Sequence, residues 1–266
     1  MIIFFYLVLG AIAGFLAGLF GIGGGLIIVP VLVYAFTLQG FAPEVLTHMA
    51  VATSLATIVI TSISSVLAHH KAKAVQWNIF TVIAPGILLG AWLGSQFADF
   101  LSGTTLRILL GLFILLIAAQ MGFGFKASAQ REVPQALGLS FVGIFIGGVS
   151  ALFGIGGGSL TVPFLSYCNV RIQHAVATAA AVGLPIAVAG VAGSIFAGFD
   201  NSYLPAESVG YVYWPAFLGI VATSALMAPV GAKLAHKLPA DKLKKLFAIF
   251  LVIIGVEFII QSWGSL

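Results

Sequence analysis

The sequence predicts an all-α polytopic membrane protein built from two related halves. The chain is 61% hydrophobic and only 7% charged, whereas about a quarter of the residues in soluble domains are charged. A soluble fold of 266 residues could not cover its surface with so few polar side chains. The heptapeptide Leu-Phe-Gly-Ile-Gly-Gly-Gly occurs at Leu19–Gly25 and again at Leu152–Gly158, 133 residues further on. We therefore expect two repeats, residues 1–127 and 128–266, in one membrane domain.

Each repeat contains five apolar segments, in the order helix, glycine break, short helix and three full helices. A helix that spans the bilayer needs about 20 apolar residues. The predicted segments of the first half are 2–20, 26–37, 45–68, 78–99 and 105–124. Those of the second half are 135–153, 159–170, 173–198, 209–232 and 245–262. The match extends beyond the heptapeptide, since Ala50–Ser54 corresponds to Ala175–Ala179 and Gly94 to Gly231.

The loop charges predict that the two halves face opposite sides of the membrane. The loop after the third segment contains His69, His70, Lys71 and Lys73, whereas its counterpart at 199–207 is acidic. Placing Lys71 in the cytoplasm leaves only Arg107 of the eleven basic residues outside, a strong positive-inside bias. The same distribution makes nucleic-acid binding a poor interpretation of the net charge of +4. We expect inverted repeats in the cytoplasmic membrane, with both termini outside.

The glycine clusters interrupt apolar segments and therefore predict broken helices. Broken helices at corresponding positions of duplicated halves are typical of transporter binding sites near the bilayer midplane. A helix that starts at such a break has N–H groups without intrahelical acceptors, which together with the helix dipole favour an anion. Pro30 and Pro163 are expected in the first turn of the short helices, where a missing N–H costs nothing. The candidate anion-binding glycines, which allow positive φ and close approach, are Gly21, Gly23, Gly24, Gly25, Gly154, Gly156, Gly157 and Gly158.

Helix packing alone is the alternative interpretation of the glycine clusters. Glycines four residues apart predict packing faces of small residues, and they occur at Gly10, Gly14 and Gly18 and at Gly86, Gly90 and Gly94. Three adjacent glycines instead cover every face of a helix, which favours a binding site. No Gly-Lys-Ser/Thr follows, so a phosphate P-loop is excluded, and the spacing does not fit a dinucleotide fingerprint.

Hydroxyl side chains could complete an anion site, although threonines inside helices often bond to their own backbone. The candidates are Thr53, Ser54, Thr178, Ser159 and Thr161, with the first three expected to face the break. No cofactor or metal is predicted, because His69 and His70 have no cysteine or carboxylate near them in sequence. His48 and His174 are interpreted as structural. Glu257 is an acid inside an apolar segment, which suggests either a functional role or solvation near the outer end.

The repeated pattern Phe-Gly-Ile-Gly-Gly-Gly-x-x-x-x-Pro, followed by Ala-Val-Ala-Thr-Ser, resembles the sulfite exporter TauE/SafE family over essentially the whole chain. In the second half Ala179 replaces the serine. The resemblance implies a membrane permease for small sulfur-containing anions such as sulfite, sulfoacetate or related organosulfonates. We therefore expect a secondary transporter rather than an enzyme, with an anion and the lipid bilayer as partners and a homo-oligomer left open.

Export is the expected direction of transport. Moving a negative charge out of a cell that is negative inside is favourable by about 2.3 kcal/mol per 100 mV. The segments contain few acids of the kind that ion-coupled importers use. The alternatives are an anion channel of the same fold and an intramembrane enzyme or assembly factor for sulfur oxyanions. The enzyme would need a nucleophile, base or metal cluster within the segments.

Overall fold

The computed structural model describes residues 2–20, 24–122, 132–235 and 240–263. These residues form ten helices and a two-stranded hairpin. The helices of the first half are α1 (Ile2–Phe20), α2 (Gly25–Leu38), α3 (Pro43–Lys71), α4 (Trp77–Phe100) and α5 (Gly103–Gly122). Those of the second half are α6 (Ala136–Leu152), α7 (Gly158–Tyr167), α8 (Ile172–Ala197), α9 (Trp214–Ala235) and α10 (Ala240–Trp263). The antiparallel strands β1 (Ser208–Val209) and β2 (Val212–Tyr213) directly precede α9.

The long helices have the length and composition of membrane spans. In the described part of the chain, α3, α4, α5, α8 and residues Lys245–Ser262 of α10 are long and apolar enough to cross a bilayer. Large apolar side chains such as Leu116, Phe141 and Phe145 are exposed on the outer surface. Lipid rather than water suits such a surface, because soluble monomers rarely expose large apolar patches. The prediction of an all-α polytopic membrane protein is confirmed.

The short helices α2 and α7 cannot cross the membrane by themselves. At 1.5 Å per residue they are about 21 Å and 15 Å long, against a hydrocarbon core of about 30 Å. A Schellman motif ends each of them, with Gly40 or Asn169 in the left-handed conformation at φ 72° or 62°. In the second motif the Val170 N–H donates to the Leu165 carbonyl at 3.0 Å. The chain thus turns directly from each short helix into the long helix α3 or α8.

Two of the sequence predictions about local structure are wrong. The segment predicted at 209–232 begins as a hairpin, because Gly210 turns the chain with φ 52° and helix α9 starts only at Trp214. Pro30 and Pro163 are the sixth residues of α2 and α7 rather than members of the first turn. Each proline therefore removes a backbone hydrogen bond inside its helix instead of occupying a position without one.

The helices of one half pack mainly against those of the other half. Helix α1 packs on α9 and α6 packs on α4, while α3 packs on α8 and α5 on α10. A methyl group placed on Gly10 of α1 would lie 2.6 Å from the Cα of Ile220. One placed on Gly143 of α6 would lie 2.6 Å from the carbonyl oxygen of Ile83. These two contacts occupy corresponding positions, since 10 and 143 differ by 133 and 83 and 220 differ by 137, the spacings found for the heptapeptides and for Gly94 and Gly231.

Small residues form the helix–helix contacts, as the four-residue spacing predicts. Gly86, Gly90 and Gly94 lie against the carbonyl groups of Ser140, Ile144 and Gly148, and Gly14 lies against the backbone of Ser224. A methyl group at any of these glycines would overlap backbone atoms of the neighbouring helix. Their packing role is therefore confirmed, and close backbone approach holds α4 to α6 and α1 to α9.

Helices of the same rank in the two halves run antiparallel. Methyl groups at Gly190 and Gly183 of α8 would lie 2.9 Å from Leu55 Cδ1 and 3.2 Å from Ser62 Oγ of α3. The α8 residue number falls as the α3 number rises, so these helices point in opposite directions. Helices α5 and α10 show the same order, with Gly111 against Gly255 and Gly122 against Ala248.

Candidate functional site

The two glycine-rich segments lie in direct contact. Gly25 is the first residue of α2, and a methyl group there would be 2.6 Å from the carbonyl oxygen of Gly154 and 2.7 Å from the Cα of Ile155. The beginning of α2 therefore abuts the loop that joins α6 to α7. Candidate residues Gly21 and Gly23 lie outside the described residues.

Gly154 is required by the backbone conformation at the end of α6. Its φ of 67° lies in the left-handed region, and a Schellman motif forms around it. The N–H of Ile155 donates to the Ser150 carbonyl at 2.9 Å, and the N–H of Gly154 donates to the Ala151 carbonyl at 3.3 Å. Ser54 of α3 donates its hydroxyl to the Gly154 carbonyl at 2.8 Å. Gly154 and Ser54 thus fix the loop between α6 and α7 to α3.

The other candidate glycines have ordinary helical φ values or allow close packing. Gly24 and Gly157 precede α2 and α7 with φ of −63° and −56°. A methyl group on Gly157 would lie 2.9 Å from Ile186 Cδ1 and 3.0 Å from Val182 Cγ1 of α8. At Gly157 a glycine is favoured by this close contact with α8 rather than by positive φ.

The first turn of α7 presents backbone N–H groups without acceptors. The Gly157 carbonyl accepts from the N–H groups of Leu160 and Thr161 at 3.3 and 2.8 Å, and no side chain caps the helix. Within the described residues, the N–H groups of Gly158 and Ser159 have no hydrogen-bond acceptor. These N–H groups lie at the positive end of the helix dipole. A helix start of this kind attracts an anion.

Two buried hydroxyls lie beside these N–H groups. Ser159 is 8% exposed and Thr161 is fully buried, and neither hydroxyl has a hydrogen-bond partner in the part of the chain that the structure describes. A buried polar group without a partner costs about 1–3 kcal/mol. A methyl group on Gly157 would be 3.1 Å from Thr161 Oγ1, so this hydroxyl faces the start of the helix. The first turn of α7 therefore offers several unused donors to a ligand.

The remaining candidate hydroxyls are bonded to the backbone. Thr53 accepts a hydrogen bond from the N–H of Tyr213 at 3.0 Å, and Thr178 accepts one from the N–H of Gln76 at 3.0 Å. Both bonds lie at helix N-termini, those of α9 and α4, and not at the glycine break. The expectation that these two hydroxyls face the break is therefore wrong, because the chain uses them to satisfy N–H groups of the other half.

The candidate site carries no full positive charge among its nearest neighbours. The atoms closest to Gly25, Gly156 and Gly157 are backbone atoms, aliphatic carbons and one hydroxyl oxygen. The histidines lie elsewhere. His48 Nε2 is 2.9 Å from the Ala98 carbonyl and His174 Nδ1 is 2.8 Å from the Ala74 carbonyl. Binding of an anion here would depend on N–H and O–H dipoles.

Two features near or beyond this site were not found by sequence reasoning. Ile58 of α3 lies between the glycine breaks, and its only signal is that the corresponding position of α8 is Gly183. Tyr211 of the hairpin donates its hydroxyl to Asp99 at 2.6 Å and stacks on His48 at 5.1 Å. The sequence has no local signal for this cluster, because its members come from three separate segments.

Long apolar helices packed around two broken ones, with unused donors at a helix start, define a polytopic membrane transporter. The chain belongs to the sulfite exporter TauE/SafE family, whose model matches residues 6–258. A probable membrane transporter protein of Haemophilus influenzae is 38% identical over 257 residues, which cover 96% of this chain and 97% of that protein. Another, from Methanocaldococcus jannaschii, is 29% identical over 260 residues, covering 94% and 92% of the two chains. No solved structure matches the chain.

Proposed function

We propose that the protein is a secondary transporter that exports a small sulfur-containing anion, such as sulfite, sulfoacetate or a related organosulfonate. The observation that carries this proposal is the pair of unpartnered hydroxyls of Ser159 and Thr161 beside the free N–H groups of α7. The family name and the names of the relatives support transport of such an anion.

The anion binds at the first turn of α7. The N–H groups of Gly158 and Ser159 and the hydroxyls of Ser159 and Thr161 donate hydrogen bonds to its oxygens. The dipole of α7 adds a partial positive charge of about half an elementary charge. Neutral donors let an oxyanion leave again, because no full cation holds it in the site. The contact of Gly25 with Gly154 places the start of α2 next to the same loop.

The two halves, 1–127 and 128–266, are inverted repeats in the membrane. Antiparallel packing of α3 with α8 and of α5 with α10 supports this arrangement. The positive-inside rule then places both termini outside and the Lys71 loop in the cytoplasm. Under this arrangement the anion site lies where the two broken regions meet, within the bilayer.

Transport is outward and needs no coupling ion. The membrane potential drives a unit negative charge out by about 2.3 kcal/mol per 100 mV. The purified protein in vesicles should therefore move sulfite in response to an imposed potential without a proton or sodium gradient. Flux that disappears when those gradients are removed at constant potential would contradict uncoupled export.

The site is tested by sulfite flux in vesicles that contain the Ser159→Ala and Thr161→Val variants. Each variant removes one donor at nearly constant volume, so flux and sulfite affinity should fall at least about tenfold, the effect of one lost hydrogen bond to a charged group. Ser166→Ala is the matched control, since Ser166 has a buried, unpartnered hydroxyl on the same helix away from its first turn. Wild-type flux in both site variants would place the anion elsewhere.

Counterflow separates a carrier from the channel of the same fold. A carrier loaded with unlabelled sulfite accumulates labelled sulfite transiently, whereas a channel does not. Chemical conversion of the anion during transport would instead support the intramembrane enzyme.

A further inference from the structure

Ile58 of α3 contacts both glycine-rich segments. A methyl group on Gly25 would lie 3.1 Å from Ile58 Cδ1, and one on Gly156 would lie 3.8 Å from Ile58 Cγ2. Ile58 is 4% exposed, so its side chain is enclosed between these segments. One aliphatic side chain thus separates the start of α2 from the loop before α7.

The corresponding position in the second half is empty. Ile58 and Gly183 are 125 residues apart, the spacing that relates Ala50–Ser54 to Ala175–Ala179. A methyl group on Gly183 would lie 3.2 Å from Ser62 Oγ and 3.9 Å from the backbone nitrogen of Gly157. The α8 side of the crossing is therefore lined by polar atoms, whereas the α3 side is filled by the Ile58 side chain.

The space beside Gly156 is bounded by Ile58. Among the described residues, no other atom apart from the adjacent chain lies within 4 Å of a methyl group placed on Gly156. Gly156 itself has no positive φ. Changes in the size of residue 58 would consequently change the room available next to the start of α7.

We propose that Ile58 is a specificity-determining residue that limits the size of the transported anion. This inference rests on the anion site proposed above at the first turn of α7. The oxyanion group meets the donors of α7, and the remainder of the molecule meets the Cγ2 and Cδ1 methyl groups of Ile58. A longer non-polar part is excluded because the Ile58 side chain occupies the space between the two breaks.

The test compares alkanesulfonates of increasing chain length as competitors of sulfite flux in vesicles. Ile58→Ala should admit sulfonates at least one carbon longer than the wild type does, with about tenfold tighter competition per additional carbon. Flux of sulfite itself should stay within about threefold, because the α7 donors remain. Ile58→Val removes only the methyl group next to Gly25 and should shift the limit less.

Leu55→Ala is the matched control, since Leu55 lies about one turn away on α3, is fully buried and packs on Gly190 at 2.9 Å. This variant should lower stability without altering the order of the competitors. A second readout needs no substrate. With Cys168 replaced by alanine, the Gly156→Cys thiol should be alkylated faster when Ile58 is alanine or valine.

The two proposals fail in distinguishable ways. An unchanged size limit and an unchanged alkylation rate in folded Ile58→Ala and Ile58→Val variants would overturn the role of Ile58 while leaving the transporter intact. Absence of sulfite and sulfonate flux in the wild type would instead overturn the proposed function. Alkylation that accelerates with shorter side chains would still support Ile58 as the residue that closes this space.

Discussion

Thr53 of α3 accepts a hydrogen bond at 3.0 Å from the backbone N–H of Tyr213, the residue before α9. Thr178, its counterpart in α8, accepts one at 3.0 Å from the N–H of Gln76, the residue before α4. Gln76 and Tyr213 are 137 residues apart, as are Gly94 and Gly231. The third helix of each half therefore binds the N-terminus of the fourth helix of the other half, and the same threonine does so twice.

Removing the Thr53 hydroxyl should destabilise the fold. Thr53→Val keeps the shape of the side chain but leaves the buried N–H of Tyr213 without an acceptor, which costs about 1–3 kcal/mol. Thr53→Ser keeps the hydroxyl and should retain most of the stability. Thermal unfolding of the protein in detergent measures the difference. Equal melting temperatures for the valine and serine variants would show that this hydrogen bond does not stabilise the fold.

The glycines of the α4–α6 contact should tolerate no side chain. Gly90→Ala places a methyl group onto the Ile144 carbonyl, and such overpacking costs about 1–3 kcal/mol. Gly122→Ala is the control, because its methyl group would lie 3.8 Å from Ala248 Cβ. Gly122→Ala should match the wild type in thermal unfolding in detergent while Gly90→Ala melts earlier. A reversed order would contradict the packing described for α4.

Gly156 allows charge to be tested separately from packing. Gly156→Ala should fold normally, since its methyl group would make only an ordinary contact with Ile58. Gly156→Asp places a negative charge beside the proposed anion, so sulfite flux should be lost while the protein still inserts in the membrane. Gly156→Asn has nearly the same size without the charge and should transport better than the aspartate variant. Equal flux in these two variants would argue against an anion next to Gly156.

The Tyr211 hydroxyl should ionise only at unusually high pH. Burial and then its hydrogen bond to Asp99 raise the pKa of Tyr211 above its ordinary value of 10.0, outweighing the opposite effect of Asn201. Its contribution to stability is therefore complete below pH 10 and is lost as the pH rises towards the raised pKa. Asp99→Asn should lower the pKa of Tyr211. The tyrosinate absorbance that disappears in Tyr211→Phe reports this titration, and an unchanged midpoint in Asp99→Asn would rule out the influence of Asp99.

Accessibility labelling tests the inverted arrangement. With Cys168 replaced by alanine, single cysteines at Lys71 and Tyr203 test exposed positions at the ends of the third segments of the two halves. An impermeant thiol reagent should label position 71 from the cytoplasm and position 203 from outside. Labelling of both positions from the same side would mean that the repeats are parallel.

The sequence predicted the candidate site in part. Ser159 and Thr161 were recognised because they follow a glycine cluster at the start of a short helix, which is a local pattern. Thr53 and Thr178 were assigned to the break, although their partners are N–H groups 160 and 102 residues away. A hydroxyl on a buried helix has several possible partners, and only the packing of the helices selects one of them.

The sequence by itself determined that this protein lies in a membrane, that it has two related halves and where its helices break. Each of these properties follows from composition or from residues close together in the chain, because apolar length and glycine clusters act locally. Only the tertiary structure decided that Gly25 meets Gly154 and that Ile58 lies between the two breaks. These contacts join distant segments of the chain, and they depend on how closely the glycine-lined faces of the helices approach one another.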